Sequence, residues 1–141
     1  MRIATLISAS FLAASLALTG TARANTAALP PLSEVREIDG PLFSVALAIE
    51  ISDRCERIAP RNLKGLLLLN DLNSRARSLG YSKDEIDAYV NSSEAKARMR
   101  ARGETYVKSQ GLDPENPVDL CSLGKAEIAR NSQIGALLKE K

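Results

Sequence analysis

Two cysteines in a chain addressed for export set the tightest limit on this fold. Cys55 and Cys121 stand 66 positions apart. Ahead of them the chain carries the parts of a secretory signal peptide. Met1-Arg2 gives a positive start, Leu6 to Leu18 is an apolar stretch rich in Ala, Ser and Leu, and Ala22-Arg23-Ala24 is the small-x-small pattern cut by signal peptidase. Cleavage is predicted after Ala24. An uncleaved anchor is the competing reading, but the stretch falls short of the roughly 20 apolar residues needed to span a bilayer. A lipid anchor would need a cysteine after the cut, where Asn25 stands. No stable membrane anchor is therefore expected once the signal is removed, and the predicted address is the bacterial periplasm. In that oxidising setting the two thiols are expected to form one bridge rather than remain free. Closing a loop of that size stabilises by about 4 kcal/mol in the chain-entropy treatment.

Removing the signal also changes the charge argument. The whole chain has 19 basic and 17 acidic residues, but Arg2 and Arg23 leave with the signal. The remainder is formally neutral, which gives no reason to expect a nucleic-acid partner. A chain of 141 residues with no second long apolar run makes one domain. The expected organisation is a signal peptide over 1–24, an extended lead-in over 25–32 and a single domain over 33–141.

Within that domain the apolar spacing is helical throughout, and no stretch alternates as a strand should. Gly40-Pro41 is expected to open a central helix carrying Leu42, Phe43, Val45, Leu47, Ile49 and Ile51. After Pro60 the leucines at 63, 66, 67, 69, 72 and 79 fall on one broad face, and the run Leu66 to Leu69 is assigned to the core. Gly80 ends that helix. Ser82 to Glu85 forms a capping box, with Ile86, Tyr89 and Val90 expected to face inward. A longer helix runs to about Gln110 and stops at Gly111. Asn116-Pro117 starts the last helix, Asn131-Ser132-Gln133 breaks it, and Lys139 to Lys141 is expected to fray. The fold expected is an all-α bundle of about five helices, with no sheet and with Cys55 bridged to Cys121.

Candidate chemistry is sparse. There is no histidine, so neither a metal site nor a serine or cysteine nucleophile has its usual partner. Asp113-x-Glu115-x-Pro117 starts like a calcium loop but has Pro where a ligand belongs. No metal and no cofactor is expected. Asp84 and Asp87 share a helix face, where they complement the helix dipole. The densest charge is Lys96, Arg98, Arg100 and Arg102. Helical spacing divides it, Lys96 and Arg100 on one side and Arg98 and Arg102 on another. With Tyr81 these four form the candidate partner-binding surface; a solvated helix face and a packed tyrosine are the plainer alternatives. No aromatics are interleaved for base stacking.

The runs Ser74 to Ser82, Glu85 to Val90, Lys96 to Glu104 and Cys121 to Gly135 resemble a family of small exported proteins from Rhodobacter-group alphaproteobacteria, a domain of unknown function. The resemblance covers both cysteines. It implies an exported address and a shared disulfide, and it supplies no activity and no site residues. The function expected is a non-catalytic interaction protein that binds, inhibits or stabilises another envelope protein. The alternative is a periplasmic acid-stress chaperone. An enzyme built on carboxylates such as Asp84, Asp87 or Glu104 is the third reading, and the expectation is that the chain is not an enzyme. Its oligomeric state is left open.

Overall fold

The computed structural model describes residues 28–141; the signal segment and the start of the lead-in lie outside the described residues. A 3-10 turn (Leu32–Glu34) leads into α1 (Arg36–Arg54), then a short strand β1 (Ile58–Pro60). Next come α2 (Asn62–Ser78), α3 (Lys83–Asn91), α4 (Ser93–Ser109) and α5 (Pro117–Ala129). A second 3-10 turn (Gly135–Leu137) delivers the strand β2 (Leu138–Glu140). The fold is all-α in character, and α1 is its hub, packing against α2, α4 and α5. None of these helices is long and apolar enough to cross a membrane.

Local signals decide most boundaries. The Ser82 hydroxyl accepts from the Glu85 N–H, and the Glu85 carboxylate accepts from the Ser82 N–H at 2.7 Å, so the capping box is complete. Asn116 caps α5 through the Val118 N–H, with Pro117 at the first position where no donor is lost. Gly80 and Gly111 take positive φ after α2 and α4.

Cys55 and Cys121 are bridged across a Cα–Cα distance of 5.2 Å. The bond joins the end of α1 to the first turns of α5. Around it lies the main core, with Ile51, Ile58, Leu120, Leu123 and Leu138 fully buried. A smaller core of Leu32, Ile38, Leu72, Ala76, Tyr81 and Ile86 joins the first turn to α2 and α3.

Several expectations are corrected. Helix α1 starts at Arg36, not at Gly40-Pro41, and Pro41 lies inside it. Proline cannot donate to the carbonyl four residues earlier; the turn before it is held instead by burial of Ile38 and by the ties of Asp39 described below. The chain also has a small antiparallel sheet, with Ile58 opposite Glu140 and Pro60 opposite Leu138. Residues 138–140 are therefore paired rather than frayed. Arg61 fixes them, its N–H donating to the Leu137 carbonyl at 2.7 Å and its Nε to that of Leu138 at 2.8 Å. Strands of three residues are too short to show a period of two.

The largest correction concerns α2. Only Leu72 and Ala76 are buried, with Leu68 half-buried one turn before them. Leu63, Leu66 and Leu67 are 70%, 56% and 59% exposed, and Leu69 and Leu79 are exposed as well. Val90 on α3 and Val118 on α5 also face solvent.

Candidate binding groove and its two carboxylate anchors

Helix α4 turns Met99, Gly103 and Val107 inward at intervals of four. The four-residue spacing then places its charges on two flanks, as expected from the sequence. On one flank Arg98 and Arg102 reach Asp39 near the start of α1. Arg102 Nη1 lies 2.9 Å from Oδ2, and Arg98 Nη2 sits against Oδ1. The Tyr89 hydroxyl donates to the same carboxylate at 2.6 Å. The Arg102 guanidinium also lies over the Phe43 ring, 4.1 Å from its centroid. Burial opposes ionisation of Asp39, but the hydrogen bonds from Arg98 and Tyr89 outweigh it and hold the carboxyl below its ordinary range. Burial and the neighbouring Asp39 push Tyr89 up to about 12.

A second carboxylate is set the same way on α5, linked to the first through the Phe43–Tyr106 ring contact. Glu127 on α5 is fully buried. It accepts from the Tyr106 hydroxyl at 2.6 Å, from Arg130 and from the Ser132 hydroxyl. The Gly135 N–H donates to Ser132 Oγ at 3.0 Å, which carries the tie on into the C-terminal segment. Burial again opposes ionisation, and the Arg130, Ser132 and Tyr106 hydrogen bonds again win, so the carboxyl stays below its ordinary range. Neither carboxylate opens onto a cavity described below, and each has donors on both oxygens. They act as anchors: Asp39 ties α1 to α3 and α4, and Glu127 ties α5 to α4 and the C-terminal segment.

The other flank of α4 borders a groove of about 750 Å³ between α4 and α1. Its walls include Leu42, Val45 and Ile49 of α1 and Met99 and Val107 of α4. Lys96, Arg100 and Glu104 border it in one row along α4. Tyr89 and Val90 of α3 close one end; Pro114 and Glu115 stand at the other. Arg54 lies at that second end, paired with Glu50 at 3.2 Å and donating to the Glu115 carbonyl at 2.8 Å. Lys96 and Arg100 make no ion pair among the described residues. A smaller hollow of about 240 Å³ adjoins between α1 and α2, sharing Ile49 and Leu69 with the groove and adding Leu66.

The candidate surface read from the sequence is thus divided. Lys96 and Arg100 stand at the groove, whereas Arg98 and Arg102 are spent on Asp39. Tyr81 is buried in the smaller core, its hydroxyl donating to the Pro30 carbonyl at 2.6 Å, and does not project as an anchor. Asp84 and Asp87 are exposed on α3 away from the groove, Asp87 paired with Lys83. Among the described residues no group of three His, Cys, Asp or Glu side chains could hold a metal ion. Asp113 instead closes a turn, its carboxylate accepting from the Glu115 N–H at 2.9 Å.

A family model described as a family of unknown function, DUF5333, matches residues 30–139. The chain belongs to that family. The matched span takes in every helix of the DUF5333 fold, both cysteines and the groove. No curated protein and no solved structure matches the chain.

Sequence reasoning missed the groove because it placed the leucines of α2 in the core. The signal was present in α2 itself. Positions 68, 72 and 76 make one narrow stripe, while 69, 66, 63 and 67 fan out around the rest of the helix.

Proposed function

We propose that this DUF5333 protein is an exported, non-catalytic interaction protein of the periplasm, and that it works by seating an amphipathic helix of an envelope partner in the α1–α4 groove. The observation that carries this reading is a continuous apolar surface left open to water. The groove runs through Ile49 and Leu69 onto the exposed leucines of α2. Contiguous apolar surface of this kind marks interaction sites in soluble domains. A helix laid in an apolar groove is a recurring mode of recognition. The two buried carboxylates support a non-catalytic role, because both are saturated by structural partners and neither faces the groove.

The test is photo-crosslinking in the living cell. A benzophenone side chain at Ile49 or Met99 should capture one envelope protein through a helical segment. The same probe at exposed Lys125 on α5 should not. Equal capture from all three positions would sink the proposal.

A second reading, an acid-activated chaperone, draws on the same anchors. Both depend on ionised carboxylates, so strong acid would loosen α1 from α4 and α5 from the C-terminal segment. Prevention of client aggregation near pH 2–3, absent at pH 7, would favour it.

A further inference from the structure

We infer that the resting protein is a two-fold dimer in which α2 of each copy lies in the α1–α4 groove of the other. The inference rests on the groove being a helix-binding site and names the helix that fills it when no envelope partner is bound.

The groove has a direction. Asp39 meets Arg98 and Phe43 packs edge-on against Tyr106 at 6.1 Å, so α1 and α4 run the same way along it. Their N-terminal ends lie at the Lys96–Arg100 end, which is basic. The far end carries Glu50, Glu104 and Glu115 against the single cation Arg54. A helix antiparallel to both walls brings its own C-terminal half to the basic end. That orientation is also the one favoured by the wall dipoles.

Helix α2 ends in two cations, Arg75 and Arg77, and offers the basic end one acid, Asp71, which in one copy pairs with Arg75 at 3.2 Å and would exchange that partner on docking. Lys64 and Asp71 are seven residues apart, hence on one flank of the helix, beside exposed Leu67. Laid antiparallel, Asp71 faces Lys96 and Arg100, and Lys64 faces Glu104. The spans agree: about 10 Å from Lys64 to Asp71 and about 12 Å from Lys96 to Glu104 at the helical rise. Between the charges lie Leu66 and Leu67, with Leu63 just before Lys64, and all three are exposed in one copy.

Symmetry and area fit as well. Groove and leucine stripe adjoin through Ile49 and Leu69, so one face holds both halves of a self-complementary contact, as a two-fold interface requires. Leu63, Leu66, Leu67, Leu69 and Ile49 together expose roughly 500 Å² of apolar surface. A standard interface covers about 800 Å² per partner, a little over half of it apolar. Residues 28–141 carry equal numbers of acidic and basic side chains, so net repulsion does not oppose pairing.

The experiment is sedimentation equilibrium on the full chain expressed for export and purified as secreted, with circular dichroism to check each variant's fold. The wild type should be dimeric, and Leu66→Lys should be monomeric with unchanged helicity. Asp71→Lys should weaken the dimer by about tenfold, and adding Arg100→Glu to the same chain should restore it, since each chain supplies both sides of the contact. A monomeric wild type, a dimer indifferent to Leu66→Lys, or an Asp71→Lys defect that Arg100→Glu leaves unrepaired would each overturn the inference. A monomer whose groove still crosslinks an envelope helix would remove the dimer and leave the helix-binding reading intact. A dimer whose groove crosslinks only a second copy would do the reverse.

Discussion

Leucine has opposite roles in two regions of this molecule. Around the disulfide, Leu120, Leu123 and Leu138 are fully buried between α1, α5 and the two strands. On α2, Leu63, Leu66 and Leu67 lie open to solvent. The first region is closed by independent devices: a covalent bond, a buried carboxylate and two glycines at close approach. A Cβ on Gly124 would come within 2.7 Å of Ile51 Cγ2, and one on Gly135 would collide with the backbone carbonyl of Glu127. The second region has none of these. The contrast separates residues that hold the fold together from residues free to meet something else.

The comparison can be broken first at its strongest point. Cys55→Ala should cost about 2–5 kcal/mol in the closed region; an unchanged melting curve would deny the bridge its role. Gly135→Ala comes next, at about 1–3 kcal/mol for forcing a methyl group against backbone, measured by urea denaturation. The acid limb tests both carboxylates together. Asp39 and Glu127 ionise more readily folded than unfolded, so the unfolded chain binds more protons in acid and stability rises with pH there. Their contribution is complete above the ordinary values of 3.8 and 4.5 and disappears as the pH falls through the lower folded values. Melting temperature should therefore be flat near neutrality and drop in acid, and Glu127→Gln should flatten that drop. Removing one hydroxyl with Tyr89→Phe should cost about 1 kcal/mol and abolish the tyrosine that titrates at about 12. Introduced into the Leu66→Lys monomer, Leu67→Ser should be the smallest, shifting stability by no more than about 0.5 kcal/mol by chemical denaturation, because that side chain holds nothing in one copy.

The same contrast explains how much was legible in the sequence. Most local signals are followed by the structure: the Ser82–Glu85 box, the Asn116-Pro117 start, the glycine stops and the five helices themselves, with Gly40-Pro41 the exception because α1 already begins at Arg36. The disulfide followed from two cysteines read together with a predicted export signal. What escaped depends on residues far apart in the chain. The strand at 58–60 exists only because residues 138–140 lie beside it. The α2 leucines are exposed because the bundle needs only the stripe of Leu68, Leu72 and Ala76 from that helix. Asp39 and Glu127 did leave a trace. Asp39 extends the spacing of Phe43, Leu47 and Ile51 by one turn, and Glu127 extends that of Leu120 and Leu123. A charge on an apolar stripe points to a buried partner, but its identity (Arg98, Arg102 and Tyr89 in one case, Arg130, Ser132 and Tyr106 in the other) is set by tertiary packing.

The pairing of 58–60 with 138–140 also bears on biosynthesis. In the export proposed above, a chain threaded N-terminus first through a translocation channel would present α1 and Cys55 long before their partners arrive. Ile58, which is fully buried once folded, remains uncovered until Leu138 has crossed too. The closed region therefore assembles last and all at once, whereas α3 and α4, joined by neighbours in the chain, can form while threading continues. During that interval an exported chain would carry its apolar segments and free thiols uncovered at the channel exit.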